Sequence, residues 1–265
     1  MRKTTEPLGR RAERLGYVSA EQVAGVLDKQ RERASDGRQP MLLGAMMVEE
    51  GLISSDQLAA LLDQPERNPY PLSSDAVRLA TRIHAEMGEA DRMVMVTGAD
   101  DRDPAGDFAR QLAVALAMMD QSPILLIDGD FRHPKQHEAF GAKPSPGLAE
   151  MIAGKATVEE ATYRSAVANL ALLPAGRVEG EPGPVLLSDA AASRLRELRG
   201  AYRFIVAASS PLARRPEAAV LASHVDKVVA VLTAGRRRKA DVEAVLKALE
   251  GLRAGLLGVV LSHRG

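Results

Sequence analysis

The sequence has no cysteine and no tryptophan among its 265 residues, few aromatic residues (3%), and no net charge, with 35 Lys and Arg against 35 Asp and Glu. Without cysteine it can form no disulfide, no thiolate metal site and no thiol nucleophile, which suits a reducing compartment. Without a basic excess it lacks the electrostatic footprint of a general nucleic-acid binder. No stretch approaches the roughly 20 apolar residues of a membrane span, and MRKTTEPLGRRAERLG holds no apolar core of signal-peptide length. These absences lead to the expectation of a cytoplasmic protein with no direct membrane span and no nucleic-acid partner. Hydrophobic residues still make up 46% of the chain, enough for a packed core. The length suits one full domain with a small second one.

Residues 1–64 read as a duplicated helical module. Leu8-Gly9 maps onto Leu43-Gly44, Gly16 onto Gly51, Ser19 onto Ser54, Gln22 onto Gln57 and Leu27 onto Leu62, always 35 residues apart. Each copy predicts two short helices divided at Gly16 or Gly51, where a positive φ is cheap. Ser-x-x-Gln forms a capping box, and Val18 with Val23, or Ile53 with Leu58, forms a hydrophobic staple across it. The proline-bearing segment 65–72 reads as a linker, and residues 73–265 as a second domain.

In that second part, apolar runs at 93–97, 123–128, 170–174, 204–208, 227–232 and 256–261 are separated by helical stretches such as 105–119 and 238–250. The pattern predicts an α/β fold, a mostly parallel sheet with helices on both faces, preceded by the small all-α domain. Leu112, Leu116 and Met119 fall at helical spacing and predict core. Ligands of such sheets bind beyond the C-terminal strand ends, which directs attention to loops 98–107, 128–137 and 208–216.

The run VTGADDRDPAGDFARQLAVALA, followed by LLIDGDFRHP, resembles the deviant Walker ATPases with a P-loop NTPase fold. It is most similar to the bacterial tyrosine autokinases of exopolysaccharide chain-length control, and HPKQHEAFG, PGLAEMIAGKA, NLALLPAG, YRFIVAASSPL and LLGVVLSHR follow in that family's order. The Leu-Gly repeat resembles the N-terminal domain of type II secretion and pilus ATPases. Some of those bind cyclic di-GMP through an Arg before Leu-Gly and a closing Gln. Here Pro7 and Leu42 stand at the Arg positions, and the closing Gln is Gln30 in one copy and Pro65 in the other. A packing or docking module without ligand is the favoured reading; Arg10, Arg11 and Gln30 are the candidate dinucleotide contacts.

The resemblance implies a phosphate loop of glycine N–H groups, a Lys on the phosphate oxygens and a Ser/Thr hydroxyl on Mg²⁺. At those positions stand Arg102, Pro104, Ala105, Gly106 and Asp107. Pro104 has no N–H, Ala105 no charge and Gly106 no hydroxyl. Asp100, Asp101, Asp103 and Asp107 against Arg102 leave the loop about three charges negative, and a carboxylate about 4 Å from a phosphate costs on the order of 4 kcal/mol at an effective dielectric near 20. Asp103-Pro104 reads as N-cap and N1 of the next helix, which would cap itself where a phosphate otherwise sits. Asp128, Asp130 and Arg132 match the Walker A′ acids, which in the family arrange Mg²⁺ and the attacking group, and the arginine after them. The Walker B Asp of the family is Ala208 here, and Arg203 stands where another acid is frequent. Tyr17, Tyr70, Tyr163 and Tyr202 are scattered, so the family's acceptor tyrosine cluster is missing from the LSHRG end. Asp75, Arg78 and Thr81, with Arg82 adjacent, keep part of the family's Glu-x-x-Arg-x-x-Arg oligomerisation helix. His133 and His137 with Glu138 have a spacing that suits Zn²⁺ on one helix face, but they fall in an ordinary loop of the family, and no metal is expected. The run Arg236 to Lys239 reads as a solvated helix start rather than a patch for anionic lipid.

The expected function is that of a non-catalytic cytoplasmic subunit, a pseudokinase regulating exopolysaccharide chain-length control and export. It would dock a membrane polysaccharide co-polymerase or an intact kinase paralogue, reach the membrane through that partner, form a homo-oligomer if the partial helix suffices, and need no cofactor. Two alternatives stand beside it: an active ATP-dependent protein tyrosine autokinase using Mg-ATP, and a cyclic di-GMP receptor acting through the N-terminal module.

Overall fold

The computed structural model describes residues 6–36, 41–63, 69–88, 90–235 and 239–262. Pro65, Arg236–Arg238 and the last three residues of LSHRG lie outside the described residues.

The duplicated module consists of α1 (Leu8–Arg14), α2 (Ala20–Ser35), α3 (Leu43–Glu49) and α4 (Ser55–Leu62). Both capping boxes form: the Ser19 hydroxyl accepts from Gln22 N–H at 3.1 Å while the Gln22 side chain accepts from Ser19 N–H at 2.8 Å, and Ser54 and Gln57 repeat this at 3.1 and 2.7 Å. Gly16 and Gly51 turn the chain at φ 73° and 70°. The repeated Leu-Gly also has a packing reason. A Cβ on Gly9 would lie 2.8 Å from Val23 Cγ1, and one on Gly44 would lie 2.7 Å from Leu58 Cδ1, so each copy's two helices meet across a glycine.

Next come α5 (Ser74–Glu86), β1 (Met93–Thr97), α6 (Ala105–Met119), β2 (Ile124–Gly129), α7 (Gln136–Phe140), α8 (Leu148–Ile152), α9 (Val158–Ala161), β3 (Tyr163–Arg164) and β4 (Leu170–Leu173). They are followed by α10 (Pro182–Leu186), α11 (Asp189–Ala201), β5 (Phe204–Ser209), α12 (Pro216–Ala222), β6 (Lys227–Thr233), α13 (Lys239–Leu249) and β7 (Gly255–Ser262). The sheet order is β3-β4-β2-β5-β1-β6-β7, parallel except for the β3–β4 pair. The expected α/β architecture is the one found. The apolar runs gave no sign of β3, because it is two exposed residues long.

Central strands are buried on both faces, which is why they read as unbroken apolar runs. Val94 and Val96 face one core with Leu112, Leu116 and Met119 of α6, while Met93 and Met95 face the other with Leu195 of α11 and Leu221 of α12. The first core is continuous with the apolar residues of the module, among them Met47, Leu58 and Leu61. The four helices thus pack on the α5 and α6 side of the sheet.

Gly9→Ala and Gly44→Ala should each lower unfolding free energy by about 1–3 kcal/mol through overpacking. Gly25→Ala, in open space inside α2, should raise it by roughly 0.5–1 kcal/mol. Urea denaturation of the three variants checks both signs.

Candidate functional site

The loops after β1, β2 and β5 meet at the C-terminal edge of the sheet around a cavity of about 240 Å³. Asp103, Pro104, Ala105, Gly106 and Asp107 line it from the β1–α6 side, Asp128 and Asp130 from the end of β2, and Ala208 from β5. The topology thus brings together the two sets of predicted residues. Arg102 and Arg132 do not line the cavity. Arg102 folds back on Asp100, giving its N–H to Oδ1 at 2.8 Å and its guanidinium to Oδ2 at 2.9 Å. Arg132 is held between the buried Glu217 at 2.5 Å and Glu181 at 2.8 Å.

The expectation that Asp103 caps the following helix is overturned. The N-cap of α6 is Pro104, at φ −80° and ψ 38°, and no side chain caps it. The Asp103 carboxylate instead turns into the loop. Its Oδ2 accepts from the N–H groups of Ala99 at 2.9 Å and Asp100 at 3.1 Å, and its Oδ1 accepts from the N–H of Thr233 at 3.0 Å and the Thr233 hydroxyl at 3.1 Å. Two of these donors sit 130 residues away at the end of β6, so no local cap rule foretells the choice. The physical reason is satisfaction of a buried charge: Asp103 is 9% exposed, and four fixed donors offset its desolvation better than a solvated helix end would. Gly98 permits it, since a Cβ there would come within 2.8 Å of Asp103 Cβ.

The loop's expected excess of about three negative charges also needs correction, because only Arg102 was set against the acids. Arg215 pairs with Asp101 at 3.1 Å and Arg110 with Asp107 at 2.8 Å, so three arginines answer three aspartates and the backbone answers the fourth. Gln136 then fastens the start of α6, donating to the Gly106 carbonyl at 3.0 Å. Thr233, Arg110 and Arg215, together with Lys135, Gln136 and Ser209 on the cavity wall, are site residues that sequence reasoning missed. All act through tertiary contacts, except Arg110, whose i,i+3 spacing from Asp107 is a readable signal.

Asp128 is almost fully buried and accepts N–H groups from Lys135 and Gln136, both at 2.9 Å, and from Asp130 at 3.3 Å. Burial outweighs those bonds and pushes its carboxyl up to about 6. Asp130 accepts from the N–H groups of Arg132 at 3.2 Å and His133 at 3.1 Å, the pattern of a turn-forming aspartate. At the end of β5, Ala208 brings no functional group, while the Thr97 hydroxyl donates to the Ser210 carbonyl at 3.0 Å and closes the edge of the sheet. Arg203 lies at the opposite end of β5, its guanidinium 4.1 Å from the Phe204 ring centroid.

His133 sits in the bend before α7 and His137 within it, so the two do not share a helix face. Among the described residues no group of three His, Asp or Glu is placed to hold a metal ion. The Gln30 amide donates to the Met41 carbonyl at 2.5 Å, tying α2 to the start of α3. Neither it nor Arg10 or Arg11 lines the cleft of about 590 Å³ between the module and α6, although Pro7 and Leu42 do. Arg78 pairs with Asp75 and Arg82 with Glu86 along α5. Tyr70 packs on Phe140 at 4.7 Å, Tyr17 and Tyr202 are half-buried, and Tyr163 is exposed.

No family model matches the chain. It is 28% identical over 199 residues to the tyrosine-protein kinase YwqD of Bacillus subtilis, covering 74% of this chain and 83% of that one. The chain is a homologue of the bacterial tyrosine-protein kinases. It is 26% identical over 197 residues to tyrosine-protein kinase wzc of Salmonella typhi, where it spans 74% of its own length but 27% of the relative's. Among solved structures, the VpsO kinase domain superposes with a TM-score of 0.63 at 29% identity, covering 72% of this chain and 95% of that one. The seven-stranded sheet with its flanking helices is the P-loop NTPase arrangement.

Asp128 supplies a pH test. Its folded-state pKa lies above the unfolded value of 3.8, so the folded state holds the extra proton between roughly pH 4 and 6, and stability falls as pH rises through that window by about 3 kcal/mol. Chemical denaturation across that range should show this component in the wild type and lose it in Asp128→Asn.

Proposed function

We propose that this chain is a non-catalytic member of the tyrosine-kinase group, a pseudokinase acting as a regulatory subunit of exopolysaccharide chain-length control and export. The observation that carries the reading is the Asp103 carboxylate, which takes the N–H groups of Ala99 and Asp100 and binds the β1–α6 loop to Thr233. The segment that follows, Pro104-Ala105-Gly106, brings neither an ammonium group nor a metal-binding hydroxyl. Phosphoryl transfer depends almost wholly on positioning and charge stabilisation, and this segment supplies neither of those two groups for it.

On this reading no cofactor is needed, and the partner is a membrane polysaccharide co-polymerase or an intact kinase. Among the described residues no helix is long and apolar enough to cross a membrane, so membrane attachment would come through that partner. The division into a helical module, the segment 65–72 and an α/β domain is part of the proposal, with the module serving packing or docking. The cyclic di-GMP alternative has against it that the Gln30 amide is already engaged.

An active autokinase is favoured by one feature, the placement of Asp128 and Asp130 on the wall of the same cavity. Incubation of the purified chain with Mg-ATP, followed by intact-mass and phosphotyrosine analysis, separates the readings: the proposal expects no phosphate added, and stoichiometric phosphotyrosine would overturn it. Asp103→Ala, which strips four donors of their acceptor, should cost about 2–4 kcal/mol of stability by thermal or urea unfolding.

A further inference from the structure

Among the described residues, strand β7 forms one edge of the sheet and pairs only with β6. Its eight residues, GLLGVVLS, contain no charge and no proline, the two devices by which edge strands ordinarily resist pairing. An irregularity in the β6–β7 register changes which side chains share a face: Leu256 aligns with Val228 and Gly258 with Val229, leaving Leu257 as the extra residue. Leu257 turns into the core on the α5 and α6 side. Leu256, Val259 and Leu261 consequently stand together on the opposite face, at 36%, 41% and 54% exposure. Among the described residues seven large apolar side chains are exposed, and three of them are on this one strand. A fourth, Leu246 at 42%, is on α13, the helix that packs beside it without covering the stripe.

The backbone of the edge is available as well. The Ser262 carbonyl turns inward and accepts from Ala234 N–H at 2.9 Å. By the alternation of a strand, the N–H and C=O groups of Val259 and Leu261 therefore point away from β6. An antiparallel neighbour of the same sequence, centred on Val260, sets Val259 opposite Leu261 and Leu261 opposite Val259 on the exposed face. Both pairs are of the hydrogen-bonded kind, giving four main-chain bonds, with Val260 opposite Val260 between them. Charge also selects such a partner. β7 is neutral, and the neighbouring row on α5, namely Asp75, Arg78, Arg82 and Glu86, balances to zero within its own ion pairs. A neutral, apolar, self-matching edge fits a second copy of itself.

We propose that this chain forms a twofold dimer through antiparallel pairing of β7 with β7 of a second copy, joining two seven-stranded sheets into one. The interface is isologous and closes on itself, so it yields dimers rather than open chains. It is independent of whether the nucleotide loop is active.

Light scattering coupled to size exclusion on the full chain, at micromolar concentration, should give a dimer. Leu261→Lys should shift the equilibrium roughly tenfold or more toward monomer, with an unchanged circular dichroism spectrum. Leu15→Lys, at an exposed apolar residue far in sequence from the edge, should leave the dimer intact. Because the chain has no cysteine, the Val260→Cys variant carries a single thiol whose partner lies directly across the twofold axis, and mild oxidation should link it as a dimer. A wild type that stays monomeric, or a dimer that ignores Leu261→Lys and that oxidation fails to link in the Val260→Cys variant, overturns the proposal.

Discussion

Asp103 places a buried negative charge among four donors supplied by two segments that are distant in sequence, and the surrounding loop is arranged to satisfy it. A buried carboxylate without partners would be expelled or protonated; with four hydrogen bonds it becomes an internal anion that fixes backbone positions. Gly98 clears the space for it, and Pro104 sets the φ at which the chain enters α6. Gln136 and Arg110 then tie the beginning of α6 to the segment after β2. The anion in this loop is thus part of the protein. Ala99, Asp100 and Thr233 direct their donors toward a side chain of the chain itself.

Much of the fold was legible. The module was readable because a tandem copy repeats its caps, and Ser19, Gln22, Ser54 and Gln57 are local signals needing no tertiary knowledge. The central strands were readable because strands covered on both faces must be apolar throughout, β7 reads as an apolar run although one of its faces is exposed, and the ends of all six parallel strands agree with the apolar runs to within two residues. The site was legible in membership but not in wiring. Asp128, Asp130, Ala208 and the loop 103–107 do share a cavity, as the strand-end rule requires. Which way Asp103 points was not readable, because Asp-Pro before a helix satisfies the capping rule equally well, and the decision rests with Thr233. The loop's charge was misjudged for the same reason, since Arg215 reaches Asp101 across 114 residues of sequence.

The acids that remain after β2 have structural duties as well as a place in the cavity. Asp128 collects three N–H groups and shapes the turn into α7, and Asp130 closes the bend at His133. Arg132, which follows closely in sequence, is committed to Glu217 and Glu181. All three residues thus make contacts that hold the local fold. A sheet that keeps its switch-point architecture while its loops bond internally is suited to presenting surfaces, and the uncovered β7 edge and the module packed on α5 and α6 are two such surfaces.

The central claim, that this loop serves the fold and not a nucleotide, is tested most directly by isothermal titration of the wild-type chain with Mg-ADP and Mg-ATP. The account predicts no heat of binding from either nucleotide. Saturable binding at micromolar affinity, lost when the cavity wall is altered at Gly106→Trp, would contradict it.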